Sequence, residues 1–250
     1  MKLKNMILLS AGIAGAAVAA GTAIVNTKKL NDAVFPDGFT VTAHTGCEKT
    51  KDNSLDAITV GFGFGADIVE FDLSFNDEGT AVLSHDKPKG NEHTLEEAFA
   101  LISGYKGLKV NVDVKKADDL PQVVEAAKKY GIPDRIFYTG IEREKVDVVK
   151  NNTPEVSYYL NTDIDKSRNN DDVYISELIQ EVISLGACGI NIRFSLCTKK
   201  MVDEFHKNGL LVSVWTVNRK SDMVKALALG CDNITTRKPS ELKKLIDMCR

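Results

Sequence analysis

Glu70 and Asp72 stand on alternate positions of an apolar run, "ADIVEFDLSF", and His85 and Asp86 close the stretch that follows it. A buried strand normally keeps carboxylates off its faces. Side chains on a strand alternate, so positions i and i+2 share a face. Glu70 and Asp72 therefore point the same way, and so do Asp113 and Lys115 in "NVDVK". If these two strands are neighbours, three carboxylates and one ammonium converge. Carboxylates held together repel unless they are protonated, salt-bridged or bound to a cation. Oxygen-only ligands suit a hard divalent ion, Mg2+ or Ca2+. Such an ion beside a lysine can bind and polarise a phosphate, and breaking a phosphodiester then needs a base for the nucleophile and an acid for the leaving alkoxide. His44, directly after "FTVTA", and His85 fit that pair. The other two histidines, His93 and His206, fall in helical contexts and are expected to be structural or solvated.

The elements that must carry these residues follow from periodicity and turn signals. Strands are predicted over 39–44, 67–73, 108–114, 135–139, 155–160, 188–194, 210–217 and 232–236, with a shorter extra strand over 80–84. Helices are predicted over 53–62, 94–103, 119–130, 141–151, 173–185, 198–208, 221–229 and 240–249. Gly131, Gly186, Gly209 and Gly230 stand where C-caps are expected. Eight strands, each followed by a helix, are the pattern of an α/β protein of the (β/α)8 TIM barrel type. A doubly wound open sheet is the alternative, because a strand pattern does not encode closure. In a barrel the chemistry sits at the carboxyl ends of the strands. His44, Glu70, Asp72, Asp113 and Lys115 all fall there, with Asn191 and Arg193 on the sixth strand and Trp215 on the seventh. "GFGFG" at 61–65 precedes a strand, whereas a dinucleotide fingerprint follows one, so it is expected to be a helix-to-strand turn.

The 250 residues are 43% hydrophobic and 27% charged, enough for one sizeable core. The net charge of -3 provides no dominant basic face, which argues against a nucleic-acid partner. Cys47, Cys188, Cys197, Cys231 and Cys249 are odd in number and scattered, without a C-x-x-C pair, and form neither a zinc site nor a disulfide framework. Residues 7–25 carry no charge, follow Lys2 and Lys4, and would span roughly 28 Å as a helix. "AVA" and "GTA" within them look like small-residue cleavage sites. Residues 1–30 are thus expected to form an N-terminal transmembrane or signal-anchor helix, and 31–250 the barrel. The expected protein is membrane-anchored or secreted, with its barrel outside the cytoplasm.

Several motifs in order, "AHTG" 43–46, "DNS" 52–54, "ADIVEFDLSFNDEGTAVLSHD" 66–86, "NVDVK" 111–115, "VWTVN" 214–218 and "DNITTRKP" 232–239, resemble the glycerophosphodiester phosphodiesterase family. The resemblance runs from about residue 40 to the C-terminus, and Glu-x-Asp followed by His-Asp is its most specific part. It implies a metal-dependent barrel enzyme that hydrolyses a glycerophosphodiester to glycerol phosphate and an alcohol. It implies metal ligation by Glu70, Asp72 and Asp113, acid–base roles for His44 and His85, and phosphate binding by Lys115. It also implies attack by the substrate's own neighbouring hydroxyl, through a cyclic phosphate that water opens. Trp215 would stack on or cover the substrate.

Three departures stand out. The family's arginine after the first histidine is Thr45 here, and Arg193 is the expected replacement for its charge. The third ligand, commonly glutamate, is Asp113. The segment between His85 and the next helix is short, which implies a more open cleft. Sphingomyelinase D-like enzymes look similar in carrying Asp-x-Lys and lacking the arginine, and tend to release a cyclic phosphate. The alternatives to a glycerophosphodiester hydrolase are therefore a phospholipase D-like lyase on lysolipids and a barrel that binds phosphodiesters without turnover.

Overall fold

The computed structural model describes residues 32–249. The expected membrane segment lies outside the described residues. Among the described residues, no helix is long and apolar enough to cross a membrane.

The strands are β1 Thr40–Ala43, β2 Ile68–Phe75, β3 Ala81–Leu83, β4 Lys109–Val114, β5 Ile136–Ile141, β6 Tyr158–Asn161, β7 Gly189–Arg193, β8 Leu211–Trp215 and β9 Asn233–Thr236. The helices are α1 Leu55–Gly63, α2 Leu95–Ser103, α3 Pro121–Lys129, α4 Arg143–Asn152, α5 Asp172–Leu185, α6 Lys199–Lys207, α7 Lys220–Leu229 and α8 Pro239–Asp247. The sheet runs β1-β9-β8-β7-β6-β5-β4-β2-β3. β1 also pairs with β2 in parallel, Thr42 opposite Ile68 and Ala43 opposite Val69. That pairing closes eight parallel strands into a barrel and removes the open-sheet alternative. The expected order of strands and helices holds, with ends moved by a few residues.

The alternation of β2 divides its two faces. Phe71 packs on Phe99 of α2, ring centroids 6.2 Å apart, so Val69, Phe71 and Leu73 face the helical layer while Glu70 and Asp72 face the barrel interior. Val110, Val112 and Val114 of β4 are wholly buried in the same apolar core. The barrel interior is polar instead. Thr42 Oγ1 donates to Asn233 Oδ1 at 2.7 Å, Ser213 Oγ to Asn191 Oδ1 at 2.8 Å and Thr139 Oγ1 to Asn111 Oδ1 at 2.8 Å. Buried polar groups must find partners, and these find them on neighbouring strands.

Four of these helices start on a side-chain cap. Ser54, Asp171 and Thr198 each accept a backbone N–H of the first turn, and Thr94 with Glu97 forms a capping box at α2. The "GFGFG" stretch is the end of α1 and the turn into β2, as its position implied.

One hairpin matters for the site. β2 has eight residues and β4 six, and the overhang of β2 pairs with antiparallel β3, Leu73 opposite Leu83. The chain then folds back, and Ser84 N donates to the Asp72 carbonyl at 3.0 Å. His85 is thereby returned to the level of Asp72. Of the remaining histidines, His206 on α6 binds Asp232 at 2.9 Å, and the His93 carbonyl accepts the Leu83 N–H at 2.8 Å.

Candidate active site

The register between β2 and β4 places Glu70 opposite Asn111 and Asp72 opposite Asp113. One oxygen from each of Glu70, Asp72 and Asp113 lies within 4.8 Å of the others. Glu70 and Asp72 are buried. Glu70 Oε2 accepts the Thr45 N–H at 2.8 Å. Lys115 Nζ reaches Asp113 Oδ2 at 2.6 Å and Asp72 Oδ1 at 3.0 Å. Asp113 Oδ1 is buried with no hydrogen-bond partner. Gly140, at φ 70°, leaves room for that oxygen, since a Cβ there would overlap both Asp113 Oδ1 and the Val114 backbone.

One ammonium does not balance three carboxylates. Burial, then the charges of Asp72 and Asp113, hold the Glu70 carboxyl well above its ordinary range, although the Thr45 N–H and Lys115 pull the other way. Burial works against the Lys115 charge, but Asp113 and Asp72 outweigh it and push the ammonium's pKa up. An all-oxygen donor set, a surplus of negative charge and an orphaned carboxylate oxygen together fit a hard divalent cation. Glu70, Asp72 and Asp113 could hold one.

Asn53 fastens this cluster to the first loop. Its Nδ2 donates to Asp72 Oδ2 at 2.8 Å and its Oδ1 accepts the Asp72 N–H at 3.0 Å. Its own N–H donates to Thr45 Oγ1. It stands at φ 54°, a conformation asparagine tolerates better than most residues. Thr45, buried in the loop, thus serves the architecture through both its N–H and its hydroxyl.

His44 follows β1, and its backbone N–H donates to the Thr236 carbonyl at 2.9 Å. Its Nδ1 lies 2.8 Å from the Thr45 carbonyl. A carbonyl only accepts, so Nδ1 carries the proton and Nε2 the lone pair. Burial lowers the proton affinity of this ring and the Arg237 charge lowers it further, against the Thr45 carbonyl, Asp72 and Asp113. His85 is exposed, with Nδ1 2.9 Å from Asp86 Oδ1. The Asp86 carboxyl is held below its ordinary range by that hydrogen bond.

A cavity of about 840 Å³ takes in both histidines, all three carboxylates and Lys115. Arg193 and Trp215 line it as well, the guanidinium 5.5 Å from the indole centroid. Trp215 Nε1 is buried without a partner. Every residue expected from the sequence to ligate metal, transfer a proton or bind substrate thus borders one cavity. Sequence reasoning gave no role to Asn53, Lys145 or Arg237, which border it too. Arg237 could have been found by the rule that found the others, since it directly follows the last strand at its carboxyl end. Asn53 sits in a loop and carried only the short "DNS" motif, and its contacts depend on a left-handed backbone.

The sequence model of the Glycerophosphoryl diester phosphodiesterase family matches residues 88–241, more than half of the chain. Asp113, Lys115, Arg193 and Trp215 fall inside that range, and His44, Glu70, Asp72 and His85 precede it. A glycerophosphodiester phosphodiesterase of Caldanaerobacter subterraneus is 25% identical, over 82% of this chain and 97% of its own. Among solved structures, an Oleispira antarctica phosphodiesterase in complex with the product sn-glycerol-3-phosphate superposes with a TM-score of 0.70, at 20% identity, over 83% of this chain and 96% of that one. A glycerophosphodiester phosphodiesterase from Parabacteroides distasonis has a TM-score of 0.69 at 18% identity, over 85% and 99%. At these identities the two structures speak for the fold.

Proposed function

The chain belongs to the glycerophosphoryl diester phosphodiesterase family, and from that premise we propose that it cleaves glycerophosphodiesters to glycerol phosphate and an alcohol by acid–base catalysis between His44 and His85, beside a divalent cation held by Glu70, Asp72 and Asp113. Membership makes it a phosphoric diester hydrolase and sets aside a binder without turnover. The observation that carries the mechanistic reading is the convergence of three carboxylate oxygens within 4.8 Å in a cavity that both histidines border.

The cation, Mg2+ or Ca2+, would supply Lewis-acid polarisation of a phosphoryl oxygen. Lys115 places its ammonium against a non-bridging oxygen. The neutral His44 accepts, at Nε2, the proton of the attacking hydroxyl, which the substrate's own glycerol can provide. A bond from that oxygen to phosphorus forms as the bond to the leaving alcohol breaks. His85, its Nδ1 directed at Asp86, gives its Nε2 proton to the departing alkoxide. Water then opens the cyclic phosphate with the two rings in exchanged roles. Trp215 and Arg193 border the same cavity and are the further substrate-binding residues of this reading, Arg193 in place of the arginine that Thr45 replaces.

On this reading residues 1–30 anchor or export the protein, and the barrel lies outside the cytoplasm.

The test is an assay of the full chain, stripped by chelator and then resupplied with Mg2+ or Ca2+, against a panel of glycerophosphodiesters and lysolipids with phosphorus NMR of the products. Cation-restored release of glycerol phosphate is expected. No turnover of any glycerophosphodiester with either cation would reject the reading, and a persistent cyclic phosphate would convert it to a lyase.

A further inference from the structure

Lys115, Arg143, Lys145, Arg193 and Arg237 border the cavity, each with a neighbour of its own. Lys115 is held by Asp72 and Asp113. Lys145 Nζ donates to the carbonyls of Gly140 at 2.7 Å and Val114 at 3.0 Å. Arg143 pairs with Glu181, and Arg193 lies over the Trp215 ring. Arg237 is the one of these next to His44, and its partner is a loop carboxylate. Its Nη1 contacts Asp52 Oδ1 at 2.5 Å, and the side chains of Arg237 and Asp52 are 38% and 54% exposed. An ion pair so open to water is weak and exchangeable. A guanidinium is a fork of several N–H donors, and the pair with Asp52 leaves part of that fork for another acceptor.

The root of Arg237 is fixed although its end is not. Its N–H donates to Asn218 Oδ1 at 2.8 Å, and its carbonyl accepts the Glu48 N–H at 2.8 Å. Gly46, at φ 69°, makes the space for the guanidinium: a Cβ there would overlap both Arg237 Nη1 and Asp52 Oδ1. The charge lies close enough to His44 to act on that ring. Arg237 is thus a positive charge on the His44 side of the cavity, rigid at its base and weakly committed at its tip.

We propose that Arg237 is a phosphate-binding residue, which exchanges Asp52 for a non-bridging oxygen of the phosphodiester and retains the glycerol phosphate product by the same contact. This rests on the reading of the cavity as a phosphodiester site. A planar fork suits a phosphate better than a lysine's point charge does. Asp52 keeps the fork oriented between turnovers, and neutralising Asp52 leaves the guanidinium free for substrate.

The experiment compares R237Q, R237K and D52N with the wild type in KM, kcat and inhibition by glycerol 3-phosphate and inorganic phosphate. R237Q is expected to raise KM about tenfold or more, and to weaken both inhibitors by a similar factor. R237K should fall between it and the wild type. D52N should lower KM and tighten both inhibitors. Retention of wild-type KM and inhibition by R237Q, within about twofold, would overturn the proposal. So would a rise in KM for D52N equal to that for R237Q, which would make the pair a structural clip. Should R237Q not fold, R237K carries the test, and wild-type KM and inhibition in it count against the proposal. Should the wild type turn over no phosphodiester, calorimetric binding of glycerol 3-phosphate to the wild type and R237Q decides on Arg237 separately: equal affinities overturn it, and a loss in R237Q supports it.

Discussion

Glu70 serves the chemistry at the expense of the fold. Its carboxyl is raised above the ordinary range by burial and by the charges of Asp72 and Asp113. A carboxyl whose pKa is higher folded than unfolded favours the native state fully while it is protonated, at pH below the unfolded value. That contribution is lost as pH rises through the window between the unfolded and the raised native pKa. A glutamine in place of Glu70 would mimic the protonated acid at every pH and still accept the Thr45 N–H. With chelator present, E70Q is therefore expected to melt at or above the wild type, by a margin that widens as pH rises above the range of an unfolded carboxyl in calorimetric scans. Its phosphodiesterase activity should fall by about a hundredfold or more. Asn53 acts on the same cluster through two hydrogen bonds to Asp72. N53A should lower kcat/KM and cation affinity by roughly ten- to a hundredfold, as losses of groups that orient metal ligands do, checked by steady-state kinetics and cation titration.

The elements place these residues through strand register and close approach. A slip of one residue between β2 and β4 would separate Asp72 from Asp113, so the register of this one pair of strands assembles the carboxylates. The β2–β3 hairpin returns His85 to the cavity without a long insertion, because Ser84 is tied to the Asp72 carbonyl. On the far side of the barrel, β7 and β8 pass each other at Gly189. A Cβ there would overlap the Leu211 backbone rather than a side chain that could turn away. G189A is expected to cost about 3 kcal/mol, from the backbone shift it forces. Urea denaturation should show a lower midpoint with an unchanged slope, since the extent of unfolding is the same.

For the whole molecule, a cation bound only by the folded state adds to its stability. At a concentration a hundred times its Kd the gain is about 2.7 kcal/mol, which a thermal scan would register as a higher melting temperature. Chelator should reverse the rise, and D113N should abolish it.

How much of this could be read from residue order follows from what is local. Alternation of apolar and polar residues and glycines after helices determined the sequence of strands and helices, because each depends on neighbours a few positions away. The i, i+2 spacing of Glu70 with Asp72, and of Asp113 with Lys115, determined which side chains share a face. Barrel closure through β1 and β2, the meeting of Asp72 with Asp113 and the arrival of Arg237 beside His44 were decided by the tertiary structure alone. They join residues between about 30 and 200 positions apart in the chain, and only the curvature and hydrogen-bond register of the closed sheet bring such residues together.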